Sequence, residues 1–317
     1  MVDTIFSVQS VAAFTQPESR ISGSIATMPT VNKLRLRQRL GKYRIEKRLG
    51  EGGFAAVFQA MDTIMGTRVA LKIPHATLVD SELLKSFRRE ARLVAKVDHP
   101  GILQIKDASV IDGRLVISFP LGKETLNDRL SRRMSLATIF SITDQLLAAV
   151  ACAHQSKVIH CDIKPENIIM FDGSVMKLAD FGIAKVARQT VHGCGTGTVG
   201  HMAPEQAMGR PSVRSDVFAV GLVIHRMFAG QWAEWPYDWP LNGHRRLRQR
   251  IPATMITWLR KAVQLNAAQR FRDCVQMRNA FTRLRPGALR TIQRQRRKTR
   301  AKRLDTAKPA GRTQRAA

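Results

Sequence analysis

The chain has 317 residues, 44% of them hydrophobic, enough for one large domain or two smaller ones. Its 52 Lys and Arg stand against 24 Asp and Glu. The formal charge of +28 calls for an acidic partner, a phosphate-bearing ligand or nonspecific attraction to nucleic acid. Cys152, Cys161, Cys194 and Cys274 form no CxxC pair, which argues against a disulfide framework or a zinc site. The longest apolar runs, near residues 145–153 and 217–224, fall short of the roughly 20 residues that cross a bilayer. The opening MVDTIFSVQSVAAF has no basic segment ahead of its apolar residues, unlike a secretion signal. A cytoplasmic protein without a transmembrane segment is expected.

In chain order, residues 1–42 read as a flexible leader whose first 32 residues are rich in Ser, Thr and Ala. Residues 43–73 alternate apolar and polar side chains around a glycine cluster, which predicts two or three strands joined by tight turns. Residues 81–97 carry apolar residues at helical spacing, with Ser81 as N-cap, and His99-Pro100-Gly101 stops that helix. Strand-like runs follow at 102–110 and 114–119. Beyond a short link at 120–124 the pattern becomes helical, over 135–155, 215–229 and parts of 254–284. The expected fold class is α+β in two lobes. A small antiparallel-sheet N-lobe spans 43–121 and a mainly helical C-lobe spans 122–285. From Pro286 onward Arg, Lys, Gln and Thr dominate, so residues 286–317 read as a basic disordered tail. Residues 285–317 hold twelve Lys or Arg and a single Asp.

Four short stretches carry candidate chemistry. The run Gly50, Glu51, Gly52, Gly53, Phe54, Ala55, Ala56, Val57 lies between two strand patterns. Glycines there let a backbone approach phosphate oxygens, although hairpin turns use them too. Lys72 sits in the apolar strand VALKIP, so its ammonium must meet something negative or reach solvent along its stem. Glu90 on the 81–97 helix is its expected partner; Glu82 falls too near the helix start. In VIHCDIKPENIIM, Asp162 could orient a hydroxyl and accept its proton, Lys164 could neutralise a transferring phosphoryl group, and Asn167 offers a hard oxygen suited to Mg²⁺. In LADFG, Asp180 puts a carboxylate on a turn directly after a strand, as the main metal ligand.

In this order the motifs resemble the signature set of eukaryotic-like (Hanks-type) serine/threonine protein kinases. That set is a glycine-rich loop, V-A-I-K, H-R-D-L-x-x-x-N, D-F-G and A-P-E. The chain reads Gly50-x-Gly52-x-x-Ala55-x-Val57, Val69-Ala-Leu-Lys72, His160-Cys-Asp162-Ile-Lys-Pro-Glu-Asn167, Asp180-Phe-Gly182 and Ala203-Pro-Glu205. The resemblance covers roughly residues 43–285. It implies ATP and Mg²⁺ as cofactors and a protein Ser or Thr as acceptor.

By the same resemblance Val57, Ala70 and Ile169 sandwich the adenine, Ser118 is the gatekeeper, and Phe119 and Leu121 offer backbone groups to the adenine edge. Thr198 would lie near Asp162 and Lys164, Asp216 would brace the catalytic loop, and Arg270 would pair with Glu205. Three positions depart from the set: Ala55 replaces the third glycine, His201 stands where an aromatic residue is common, and Cys161 replaces Arg. That Arg pairs with a phosphorylated activation loop. Activity is therefore expected to depend little on phosphorylation of Thr190 or Thr196. A reading from another class is a catalytically weak kinase-fold binding module. In it the basic 286–317 tail contacts nucleic acid or other acidic partners.

Overall fold

The computed structural model describes residues 34–52, 55–75, 97–181 and 202–306. The alternation after residue 43 becomes strands β2 (Tyr43–Glu51), β3 (Ala55–Asp62) and β4 (Thr67–Pro74), preceded by β1 (Arg39–Leu40). Strands β5 (Asp107–Ile111) and β6 (Arg114–Pro120) complete an antiparallel sheet of order β1-β2-β3-β4-β6-β5. Inward residues Phe58, Ala60, Val69, Leu71 and Ile117 are buried, and outward ones are charged or half-exposed. Asp62 closes the β3–β4 turn by accepting the amides of Ile64 and Met65, each at 3.0 Å, and Lys42 lies 3.4 Å from its other oxygen. In register, Lys72 stands between Val57 on β3 and Ile117 on β6, at the middle of the sheet.

Two boundaries differ from the sequence reading. The flexible leader was to end at 42, yet Leu40 is buried and pairs with Tyr43 across a turn at Gly41, whose φ is +54°. The other difference is at the C-terminal end. The expected disordered tail begins at 286, but one helix runs Cys274–Thr306 through Pro286. Its inner stripe of Met277, Phe281, Ala288 and Ile292 is buried and keeps its phase across the proline. That burial, together with Arg285 3.3 Å from Asp144, outweighs the roughly 3 kcal/mol a proline costs inside a helix. The predicted 81–97 helix lies, but for its last residue, outside the described residues.

The C-lobe begins with β7 (Glu124–Thr125) and helix α1 (Leu126–Leu130), followed by α2 (Leu136–Gln155), β8 (Ile168–Met170) and β9 (Met176–Leu178). After these come α3 (Pro204–Ala207), α4 (Val213–Ala229), α5 (His244–Arg250), α6 (Ala253–Ala262) and α7 (Cys274–Thr306). Ser135 caps α2 by accepting the Thr138 amide, and Ser212 with Ser215 forms a capping box on α4, which ends at left-handed Gly230. Among the described residues, α2 alone is long and apolar enough to cross a membrane, but by length and composition only, as a mostly buried core helix also is. Its Ile139, Phe140, Ile142, Leu146 and Val150 are buried against α4 and α7, forming the centre of the C-lobe core.

Candidate active site

The site is assembled around the loop between α2 and β8. Asp216, in the first turn of α4 and 1% exposed, accepts the amides of His160 and Cys161, each at 2.8 Å. His154 approaches the same carboxylate at 3.0 Å through Nε2, while its Nδ1 accepts the amide of Cys274 at 3.1 Å. Nδ1 is therefore unprotonated, and Nε2–H donates to Asp216. Cys161 adopts a left-handed φ of +66°, and its carbonyl accepts from Gln206 Nε2 at 2.6 Å. The peptide just before Asp162 is thus held from two sides. The Nδ1 of His160 accepts the amide of Asp162, its Nε2 donates to the Ala179 carbonyl at 2.9 Å, and its ring packs on Phe181.

Those anchors bring the polar residues together. Asn167 donates to the backbone carbonyl and to the carboxylate of Asp162, at 2.8 and 3.0 Å, and Lys164 lies 3.0 Å from the same carboxylate. Asn167 also accepts the Ala179 amide on its carbonyl at 2.8 Å, tying the loop to the strand end that carries Asp180. Asp180 sits at φ +62° and meets Lys72 of the sheet at 2.6 Å. Burial opposes ionisation of this carboxylate, but Lys72, then His160 and Lys164, keep it below the usual carboxylate range. Asp180 therefore carries its charge at neutral pH. The side-chain oxygen of Asn167 is uncommitted because the amide nitrogen does the donating. An ionised carboxylate and a neutral amide oxygen at adjoining positions are a donor set suited to Mg²⁺.

Behind this polar group, Phe119 and Ala179 are buried in one apolar cluster with Leu103, Leu115 and Ile117, and Ala70 and Ile169 pack against it. The wall thus joins the sheet to β8. Gly122 follows Leu121 in the link. A side chain there would collide with Ile169, so the link can pass that residue only as glycine. Ser118 is 2% exposed and stands opposite Leu71.

Residues 43–292 match the family described as the protein kinase domain. The chain belongs to the protein kinase family. Its kinase domain is 36% identical over 205 residues to the serine/threonine-protein kinase PknA of Mycobacterium tuberculosis, covering 60% of this chain and 47% of that protein. It is 34% identical over 200 residues to a probable serine/threonine-protein kinase, PknB, of Lactococcus lactis, covering 60% of this chain and 32% of that one. The chain thus spans about a third to a half of the length of such curated relatives. The kinase domain of M. tuberculosis PknI shares the fold, with a TM-score of 0.62 at 23% identity over 79% of this chain and 99% of that one.

In this protein kinase domain the structure gathers Lys72, Asp162, Lys164, Asn167 and Asp180, and lines the adjoining wall with Ala70, Phe119 and Ile169. Gly50 and Glu51 end β2, with Gly52 just beyond, and Ala55, Ala56 and Val57 begin β3. Gly53, Phe54, Glu90, Gly182, Thr190, Thr196, Thr198 and His201 lie outside the described residues. Arg270 grips Glu205 through two contacts at 2.7 and 3.0 Å, and Ser215 donates to the same carboxylate at 2.7 Å. Sequence reasoning missed Gln206, His154, Gly122 and His75, whose Nε2 lies 2.9 Å from the Gly52 carbonyl. A glycine in the inter-lobe link was the one local signal available; the others act across long sequence separations.

Proposed function

We propose that the chain is a serine/threonine protein kinase that moves the γ-phosphoryl group of ATP to Ser or Thr hydroxyls of a protein. The observation that carries this reading is the meeting of Lys72 with Asp180 at 2.6 Å beside the Asp162–Lys164–Asn167 cluster. Its curated relatives, named as serine/threonine-protein kinases, support it.

Asp162 orients the acceptor hydroxyl and takes its proton, while Asn167 and Lys164 hold its carboxylate in place. Lys72 holds the phosphates, with Glu90 assigned to brace it, and the backbone from Gly50 to Val57 covers them. Asp180 and Asn167 would hold Mg²⁺, which when bound offsets phosphate charge. Ser118, Phe119, Leu121 and Ile169 are assigned to the adenine. Transfer of labelled phosphate from ATP to a generic basic protein tests this directly. Asp162→Ala and Asp180→Ala should each abolish it, and retention of activity by either overturns the assignment.

Cys161 cannot supply the charge that an Arg would offer a phosphorylated loop. Its peptide is instead fixed by Asp216 and Gln206, neither of which needs phosphate. Little dependence on loop phosphorylation follows, and a Thr190→Ala/Thr196→Ala protein should remain active; complete loss contradicts this. The exposed Arg283, Arg290, Arg294 and Arg297 on α7 extend the proposal to a nonspecific polyanion such as nucleic acid. Binding to a duplex should fall steeply with salt and weaken on removal of residues 293–317, which carry ten of the Lys and Arg.

A further inference from the structure

Among the described residues, five buried side-chain polar atoms have no hydrogen-bond partner, and four of them belong to His225, Arg226 and His244. Native interiors satisfy nearly all such atoms, so three neighbours left wanting point to something from outside the chain. His225 is fully buried in the last turns of α4, with neither ring nitrogen bonded. Burial, and then the proximity of His244, pull its pKa down to about 4, so it is neutral at pH 7 and keeps one N–H to donate.

Arg226 lays its guanidinium over the Trp232 ring, 5.3 Å from the centroid, with its Nε buried and unbonded. Arg246 of α5 packs directly on Gly230, where any side chain would strike its guanidinium. Burial and then the charge of Arg246 lower the pKa of Arg226, so the two cations feel each other. Among the described residues, neither pairs with a carboxylate. Glu234 and Asp238, on the segment joining the two helices, are exposed and make no ion pair with them.

The C-terminal dipole of α4 accounts for one nearby cation, and Arg250 already serves it by donating to the carbonyls of Met227 and Phe228. It does not account for two further guanidiniums beside unpartnered imidazoles. A carboxylate would offset only one charge. A tetrahedral dianion matches two guanidinium forks and leaves oxygens for the imidazole N–H groups. The opening is at Arg246, which is exposed, and at half-buried His244.

We infer that the α4–α5 junction is a phosphate-binding site, built from Arg226, Arg246, His225 and His244, for inorganic phosphate or a phosphate carried on a protein Ser or Thr. It is separate from the nucleotide cleft and independent of the catalytic reading.

The test is calorimetric titration of the full chain with inorganic phosphate, and with a peptide in phosphoserine and serine forms, against chloride at matched ionic strength. Arg246→Met, at an exposed position that leaves the core untouched, should weaken phosphate binding at least tenfold, whereas Lys72→Met should leave it unchanged. Thermal unfolding should show the same ordering, with phosphate raising the Tm of the parent and of Lys72→Met but not of Arg246→Met. A phosphopeptide tighter than free phosphate identifies the protein-borne source; equal affinity identifies phosphate itself. The inference fails if phosphate acts no differently from chloride, if Arg246→Met binds as well as the parent, or if Lys72→Met removes the binding.

Discussion

The two ends of helix α4 treat their polar residues in opposite ways. At the N-terminal end Asp216 receives three hydrogen bonds, and Ser215 joins Arg270 on Glu205. At the C-terminal end His225 is as much a part of the interior and Arg226 is half-buried, yet both ring nitrogens of His225 and the Nε of Arg226 are buried without a hydrogen-bond partner. Saturated groups fix geometry, and here they fix the catalytic loop. Unsaturated ones mark where the molecule is incomplete by itself. One helix thus braces the loop before Asp162 at one end and carries the proposed phosphate site at the other.

Breaking the saturated end should have the largest effect. Asp216→Ala strands two amides and the His154 N–H in the interior, and should lower unfolding free energy by about 3–5 kcal/mol in urea titrations. Phosphoryl transfer should collapse with it. A loss below about 1 kcal/mol would remove the claim that this carboxylate organises the loop.

The unsaturated end should reveal itself through pH. The His225 imidazole titrates at about 4 in the fold against an ordinary 6.5, so folding favours its neutral form. Its contribution is complete above pH 6.5 and is lost as pH falls from 6.5 to 4. The total is about 3 kcal/mol. In His225→Phe that slope should disappear from stability measured between pH 7 and 4.5; an unchanged slope places the proton uptake elsewhere.

The smallest change sharpens the distinction between brace and chemistry. Gln206→Ala frees the Cys161 carbonyl, a loss of about 1 kcal/mol of stability. Transfer should slow about tenfold, the rate equivalent of about 1.4 kcal/mol. Because Gln206 touches no substrate, kcat should fall with KM for ATP unchanged. A matching rise in KM would mean that it shapes the nucleotide cleft.

What could be read from the sequence was what neighbours in sequence decide. Asp162, Lys164 and Asn167 lie within one loop, and the alternation around Lys72 announced a strand with a charge in its middle. Arg270 with Glu205, 65 residues apart, was expected only through the family resemblance; Gln206 with Cys161 and His154 with Cys274, 45 and 120 residues apart, stayed hidden because no local spacing encodes them. The proline at 286 ended the predicted core, although the apolar phase of Met277 and Phe281 resumes at Ala288 and Ile292. Leu40 was missed for a similar reason: a single apolar residue in a basic run carries no period, and only its pairing with Tyr43 reveals it.

The unbroken course of α7 decides where this domain may be cut. Trimming after Arg285 would strip Ala288 and Ile292 from the face of α2 and leave Phe281 at a raw helix end, open to water. A truncated chain ending there should be poorly soluble for lack of its last helical turns, whereas a piece reaching past Ile292 keeps its interior sealed.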